Sequence, residues 1–155
     1  MSATATMTEQ REEHLVIFTL DGEDYGVEIA LVNEIIRRQE ITQIPRALSD
    51  VEGVINLRGK IVPILDLRKR LGLPSLATTG ATRIVVVEIR ENTVGLIVDG
   101  VKGVLRLEAS LIEPPSPLVN RSEDDDFVRG VGKHEGSLII LLNLERTLRL
   151  EITGE

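Results

Sequence analysis

The sequence predicts an all-β chain: a duplicated pair of small β-barrels, of four or five short strands each, that share an aliphatic core. Three observations lead there. Leu, Val and Ile make up 53 of the 155 residues while the aromatics are only Phe18, Tyr25 and Phe127, and the aliphatics fall in short runs between turn dipeptides rather than at helical spacing. The second observation is an internal repeat. Gly53, Val54, Gly59, Ile61, Ile64, Leu65, Asp66, Leu67 and Leu71 stand 77 residues before Gly130, Val131, Gly136, Leu138, Leu141, Leu142, Asn143, Leu144 and Leu148, and Leu15, Gly26, Val27, Ile29 and Val32 stand 69 before Ile84, Gly95, Leu96, Val98 and Val101. The difference, 77 minus 69, is an eight-residue insertion in the second half, which the spacing assigns to its proline-rich and acidic loop. Third, a half this small cannot cover both faces of an open sheet, and closing it into a barrel removes its exposed edges.

The elements follow in order. Leu15 to Leu20 ends at the turn dipeptide Asp21-Gly22, after which Tyr25, Val27 and Ile29 alternate with smaller or polar residues, giving a first hairpin. Val54 to Leu57 and Ile61 to Leu65 flank Arg58-Gly59-Lys60 as a second hairpin. Asp66 then offers an N-cap to a short helix carrying Leu67 and Leu71, stopped at Gly72. Residues 74–82 read as a linker. Ile84 to Ile89, Val94 to Val98 and Val101 to Leu107 follow as strands around Glu91-Asn92 and Asp99-Gly100, most simply a meander. After the Pro114, Pro115 and Pro117 segment and the acidic run Glu123 to Asp126 come strands near Phe127 to Gly132 and Leu138 to Leu142, and a last short helix, Leu144 to Leu150, behind Asn143. The expected organisation is a flexible tail over residues 1–13 and one domain over 14–150, with sub-barrels near 14–73 and 83–150. Strand exchange between the halves stays open.

Composition excludes several functions. A single domain of this length buries roughly 68–70% of its unfolded surface and needs no staple, and with no Cys there is no disulfide, thiol nucleophile or thiolate metal site, which points to a reducing, cytoplasmic setting. The longest apolar run, Leu138 to Leu142, is five residues, against roughly 20 for a spanning helix, and Met1 to Glu13 has no basic start or apolar stretch of a targeting signal. A net charge of −7 with three aromatics leaves little to attract phosphates or stack bases, so nucleic acid is not an expected partner.

Chemistry-bearing patterns are equally thin. General acid–base work needs a group poised near neutrality, and the two histidines, His14 and His134, sit at a strand edge and in a turn with no motif around them. Gly130-Val-Gly132-Lys133 lacks the earlier Gly and the following Ser or Thr of a phosphate loop, since Phe127 and His134 stand there. Glu123 to Asp126 has no alternating ligands or central Gly for calcium. Asn120-Arg121-Ser122 fits the glycosylation pattern only by accident without an export signal. No Ser lies in a Gly-x-Ser-x-Gly setting. Neither enzyme activity nor any cofactor or metal is expected.

One segment is distinctive: Gly53-Val-Ile-Asn-Leu-Arg-Gly-Lys-Ile-Val-Pro-Ile-Leu-Asp-Leu-Arg68. It resembles the Asn-Leu-Arg-Gly hairpin and Pro-x-x-Asp-Leu signature of the CheW-like family of chemotaxis coupling proteins. Phe18-Thr-Leu with Tyr25-Gly-Val-Glu-Ile, Val32-Asn-Glu-Ile35, and Val94-Gly-Leu-Ile-Val-Asp-Gly-Val101 with Val104-Leu agree with it, so the likeness runs from about Leu15 to Leu148. The resemblance implies two five-stranded SH3-like β-barrels around a common aliphatic core. It also implies a non-enzymatic cytoplasmic adaptor, recruited to receptor arrays at the inner membrane without inserting into it. The implied partners are the cytoplasmic tips of methyl-accepting chemoreceptors and the regulatory domain of the histidine kinase CheA. The family's hairpin Arg, here Arg58, is implicated in that coupling, as is a Glu matched by Glu34. The expected protein-binding set is therefore Val32, Glu34, Ile35, Gly53, Asn56, Leu57, Arg58 and Gly59, with Glu34 and Arg58 approaching each other and Val32 and Ile35 as apolar neighbours. The Pro114 to Asp126 loop has its own sequence. Two other readings stay open at this level, an adaptor of a non-flagellar chemosensory pathway and a small-molecule-binding β-barrel.

Overall fold

The computed structural model describes residues 11–116 and 127–148. In order, the chain forms β1 (Glu12–Leu20), β2 (Glu23–Glu28), a 3-10 turn (Ile29–Leu31), β3 (Val32–Arg37), β4 (Val51–Leu57), β5 (Lys60–Asp66) and α1 (Leu67–Arg70). It continues through β6 (Arg83–Ile89), β7 (Asn92–Val98), β8 (Gly100–Glu108), a second 3-10 turn (Ala109–Leu111), β9 (Ile112–Glu113), β10 (Val128–His134), β11 (Ser137–Leu142) and α2 (Leu144–Thr147). Mostly β, with two sheets and a few short helices, this is the predicted class. Arg149 and Leu150, the acidic run Glu123 to Asp126 and Asn120 lie outside the described residues.

Both helices start as the sequence indicates. Asp66 accepts the Arg68 amide at 3.0 Å and Asn143 accepts the Arg146 amide at 3.1 Å, each satisfying an amide that the first helical turn leaves unpaired. Gly72, at φ +78°, takes the left-handed position just past α1.

The chain divides into two compact units that interleave along the sequence: Met1–Ile17 with Glu23–Ala30 and Gly103–Glu155, and Phe18–Gly22 with Leu31–Lys102. The sheets explain the interleaving. One has the order β8-β1-β2-β11-β10-β9 and the other β3-β6-β7-β5-β4. The first hairpin of each half thus pairs with the second hairpin of the other half, in parallel, at Gly26 opposite Leu141 and at Gly95 opposite Ile64. These pairs are equivalent in the repeat, so the exchange is reciprocal, and the units cut across the sub-barrel limits drawn from the sequence. Gly95 permits its crossing: a Cβ there would stand 2.6 Å from Ile64 Cδ1 and 2.8 Å from Ile84 Cγ2.

One sequence expectation is corrected here. Strands β6 and β7 pair antiparallel, but β8 does not continue a meander; it joins the other sheet beside β1. The free edge of β7 is already occupied by β5, so β8 has no ladder to complete there. The insertion falls where the spacing assigned it. Strand β8 is the counterpart of β3, each the edge strand beside the first strand of a hairpin, and Glu113 pairs with Val131 as Thr42 pairs with Val54, so the offset is 71 at Thr42 and 77 at Val54 and most of the additional chain enters between Glu113 and Val131.

Each unit has its own aliphatic cluster. One gathers Leu15, Ile17, Leu107, Ile139 and Leu141; the other gathers Ile55, Val62, Ile64, Ile84 and Val86, with Ile36, Leu57 and Ile97 packed against it. Cutting the chain between residues 76 and 77 would remove β11 from β2 and β7 from β5. Expressed separately, fragments 1–76 and 77–155 are therefore expected to show no cooperative thermal transition, and to regain one when mixed. A sharp melt from either fragment alone would contradict the exchanged pairing.

Candidate protein-binding surface

The surface begins with the turn between β4 and β5. Arg58 and Gly59 have φ of +53° and +86°, the two-residue hairpin geometry with both central residues left-handed. The Gly59 amide donates to Asn56 Oδ1 at 2.8 Å, closing the turn. Asp21, Arg90, Glu91 and Glu135 share this conformation at other hairpin tips, so it reflects turn type and is not special to Arg58.

What distinguishes Arg58 is its reach. Its guanidinium spans to β3 and donates to both oxygens of Glu34, through Nη1 at 3.3 Å and through Nη2 more closely. The Arg58 side chain is 70% exposed and that of Glu34 28%, so the pair lies at the surface with its carboxylate partly recessed. The hydrogen bond to Glu34, and then the charge of that carboxylate, push the Arg58 guanidinium up, so it stays cationic. Lys60 Nζ donates to Thr93 Oγ1 at 2.8 Å, and Asn33 Nδ2 to Glu88 Oε1 at 3.4 Å. Polar side-chain contacts thereby link the turn to β3, β5 to β7 and β3 to β6.

The remaining expected residues divide. Asn56 and Gly59 are exposed at the tip, while Val32 and Leu57 are half-buried. Ile35 is exposed, but strand alternation turns it to the face opposite Glu34. Gly53 is buried and belongs to the backbone of β4: its register slips between Val51 and Gly53, and Thr42 and Val54 exchange two 2.9 Å backbone bonds beside it. Its burial gives it a place in the backbone of β4 beneath the exposed tip. Ile61, opposite Asn56, is exposed and was absent from the expected set. The signal was available, because Val62 and Ile64 point inward and Ile61 must alternate with them.

The repeat does not duplicate the pair. Glu135-Gly136 is the matching turn, but an acid stands where Arg58 does, 3.6 Å from His134 Nε2. Gly130 and Gly132 are strand residues of β10, where Cβ atoms would crowd Ile112 and Leu107, so their spacing serves packing. His14 is exposed on β1. Among the described residues, no group of three or more His, Asp or Glu side chains is placed to share a metal ion, and no helix is long and apolar enough to cross a membrane. A cavity of about 240 Å³ beside α1 is lined by Glu52, Asp66, Arg68, Lys69 and Asp99 among others. Its charges largely neutralise one another, Arg68 with Asp99 and Lys69 with Glu52.

Two β units carrying an exposed, ion-paired hairpin define an interaction module. The CheW-like domain family model matches residues 14–151, and the chain belongs to that family. It is 34% identical to the chemotaxis protein CheW of Klebsiella aerogenes over 139 residues, covering 90% of this chain and 83% of that one. It is 33% identical to CheW of Bacillus subtilis over 139 residues, covering 90% and 88%. Its fold is similar to the crystal structure of the scaffolding protein TtCheW from Thermoanaerobacter tengcongensis, with a TM-score of 0.82, 38% identity, and coverage of 94% of this chain and 97% of that one.

Proposed function

We propose that the chain is a non-enzymatic scaffold that couples chemoreceptor tips to the regulatory domain of the histidine kinase CheA, and that it does so in the cytoplasm. Family membership supports the adaptor role. The observation that carries the site is the Arg58–Glu34 pair, an exposed two-pronged contact on a two-residue hairpin turn. Asn56 and Gly59 shape its tip, Val32, Leu57 and Ile61 supply apolar surface beside it, and Ile35 extends the strand on the other face. An exposed ion pair adds little to folding because solvent screens it. At an interface the partner excludes that solvent, and a few such residues carry most of the binding energy.

The two roles separate by measurement. Arg58→Ala and Glu34→Ala are expected to leave the melting temperature nearly unchanged while weakening binding to receptor cytoplasmic fragments or to CheA by about tenfold or more. His14→Ala and His134→Ala serve as controls and should bind as the parent does. A sharp fall in melting temperature with both affinities intact would make the pair structural and overturn the site.

A further inference from the structure

The chain has two Asp–Gly bonds, Asp21-Gly22 and Asp99-Gly100, and no Asn–Gly bond. In such a pair no side chain shields the following amide nitrogen, which is why Asp–Gly is the aspartyl bond most prone to rearrange. Both aspartates meet one guanidinium, that of Arg68, on very different terms.

Asp99 is held at both oxygens: Arg68 Nε donates to Oδ1 at 2.9 Å, Nη2 donates to Oδ2 at 2.8 Å, and the Asp21 amide donates to Oδ2 at 2.8 Å. Gly100 is the first residue of β8, with Thr19 and Ala81 against it. Asp21 has a single side-chain contact with Arg68, at 3.4 Å, and its side chain is half exposed. Gly22 belongs to no strand, and nothing would touch a Cβ added to it.

We propose that Asp21-Gly22 is a spontaneous isoaspartate site, and that the two-pronged hold of Arg68 protects Asp99-Gly100 from the same reaction. The Gly22 backbone nitrogen loses its proton and attacks Asp21 Cγ, forming a C–N bond. The side-chain hydroxyl leaves with a proton as water, giving a five-membered succinimide. Water then opens the ring at either carbonyl, returning Asp21 or leaving an isoaspartyl link, with no change in mass and no oxidant or reductant. The reaction needs a carboxyl that can take up a proton and rotate onto the next amide. Asp99 can do neither readily, since both oxygens are bonded and Arg68 holds its carboxyl below the ordinary carboxylate range. The product at position 21 would put an extra methylene into the β1–β2 turn and displace the amide that bonds Asp99.

The test ages the full chain at neutral pH and physiological temperature, folded and in urea. Isoaspartate is quantified by enzymatic methyl transfer to isoaspartyl carboxyls and located by peptide mass spectrometry. In the folded protein it is expected at position 21 at least about tenfold faster than at position 99, because local opening is easier where one weak side-chain contact holds a half-exposed aspartate than where both carboxylate oxygens are bonded and the next residue starts a strand. In urea the two rates should become comparable. Equal rates in the folded protein, or formation at position 21 only in urea, would overturn the proposal. A folded Arg68→Lys variant should bring position 99 toward the rate of position 21; continued protection there would overturn the role given to Arg68.

Discussion

Arg68→Met is expected to destabilise the fold by about 2–3 kcal/mol in chemical denaturation. Its side chain is 7% exposed and bonds Asp99 twice, Asp21 once and the Pro74 carbonyl oxygen, so one residue of α1 ties the β1–β2 turn, the start of β8 and the linker. Removing one member of a covered ion pair leaves the other charge without its counter-ion, which costs about 3–5 kcal/mol at buried sites. Asp99 is 26% exposed, so water recovers part of that loss. The effect has a pH signature. Hydrogen bonding from Arg68 lowers the Asp99 pKa in the folded state, so this contribution is fully present above the ordinary carboxylate range and is lost as pH falls through the depressed folded value. The gap between parent and variant should therefore be widest near neutrality and narrow in acid. Asp66, whose pKa is raised chiefly by burial, works in the opposite sense and is common to both proteins. A variant that melts with the parent at neutral pH would show that these contacts contribute nothing net.

Gly53→Ala is expected to cost about 2–4 kcal/mol, through backbone rather than contact loss. With φ at +146°, an L-residue is strained there, and its Cβ would overlap the Thr42 carbonyl oxygen that accepts the Val54 amide. Relief requires Thr42 and Val54 to part, giving up two backbone hydrogen bonds. Faster amide exchange at Thr42 and Val54, ahead of the rest of β4, is the measurement that identifies this cause. Unchanged exchange with an unchanged midpoint would mean the segment relaxes freely. Any loss of partner binding in this variant should track its unfolded fraction, unlike the loss expected for Arg58→Ala.

The local elements were legible because their determinants are local. Asp21-Gly22 and Arg58-Gly59 announce two-residue turns, and Asp66 and Asn143 announce the helices, each through contacts within a few residues. The exchange was not legible. Which edge β8 or β11 joins depends on which edges other strands have already filled, and repeated halves with near-identical apolar patterns make own-half and other-half pairing look alike. At the site, Arg58 and Glu34 stand 24 residues apart, and no spacing rule joins a hairpin tip to a strand of another pairing; family resemblance brought them together. The burial of Gly53 is likewise hidden when its motif is read as one stretch, because alternate residues of a strand face opposite ways.

Reciprocal exchange also sets an order of assembly during synthesis. Gly26 waits for Leu141, 115 residues later, whereas Ile64 waits for Gly95 only 31 residues on. The five-stranded sheet therefore has all its strands once β7 has left the ribosome, and it can close while the rest of the chain is still being made. Strand β2 has no such early partner. Until β11 is translated, one of its edges presents unpaired amides and carbonyls, a template for any extended chain nearby. The β11 strand of a neighbouring copy would satisfy that edge as well as its own would, so slow elongation or crowded nascent chains favour swapped dimers over monomers. The long separation also makes closure of the six-stranded sheet the slow step of folding, since distant pairings must lose chain entropy before any contact repays it.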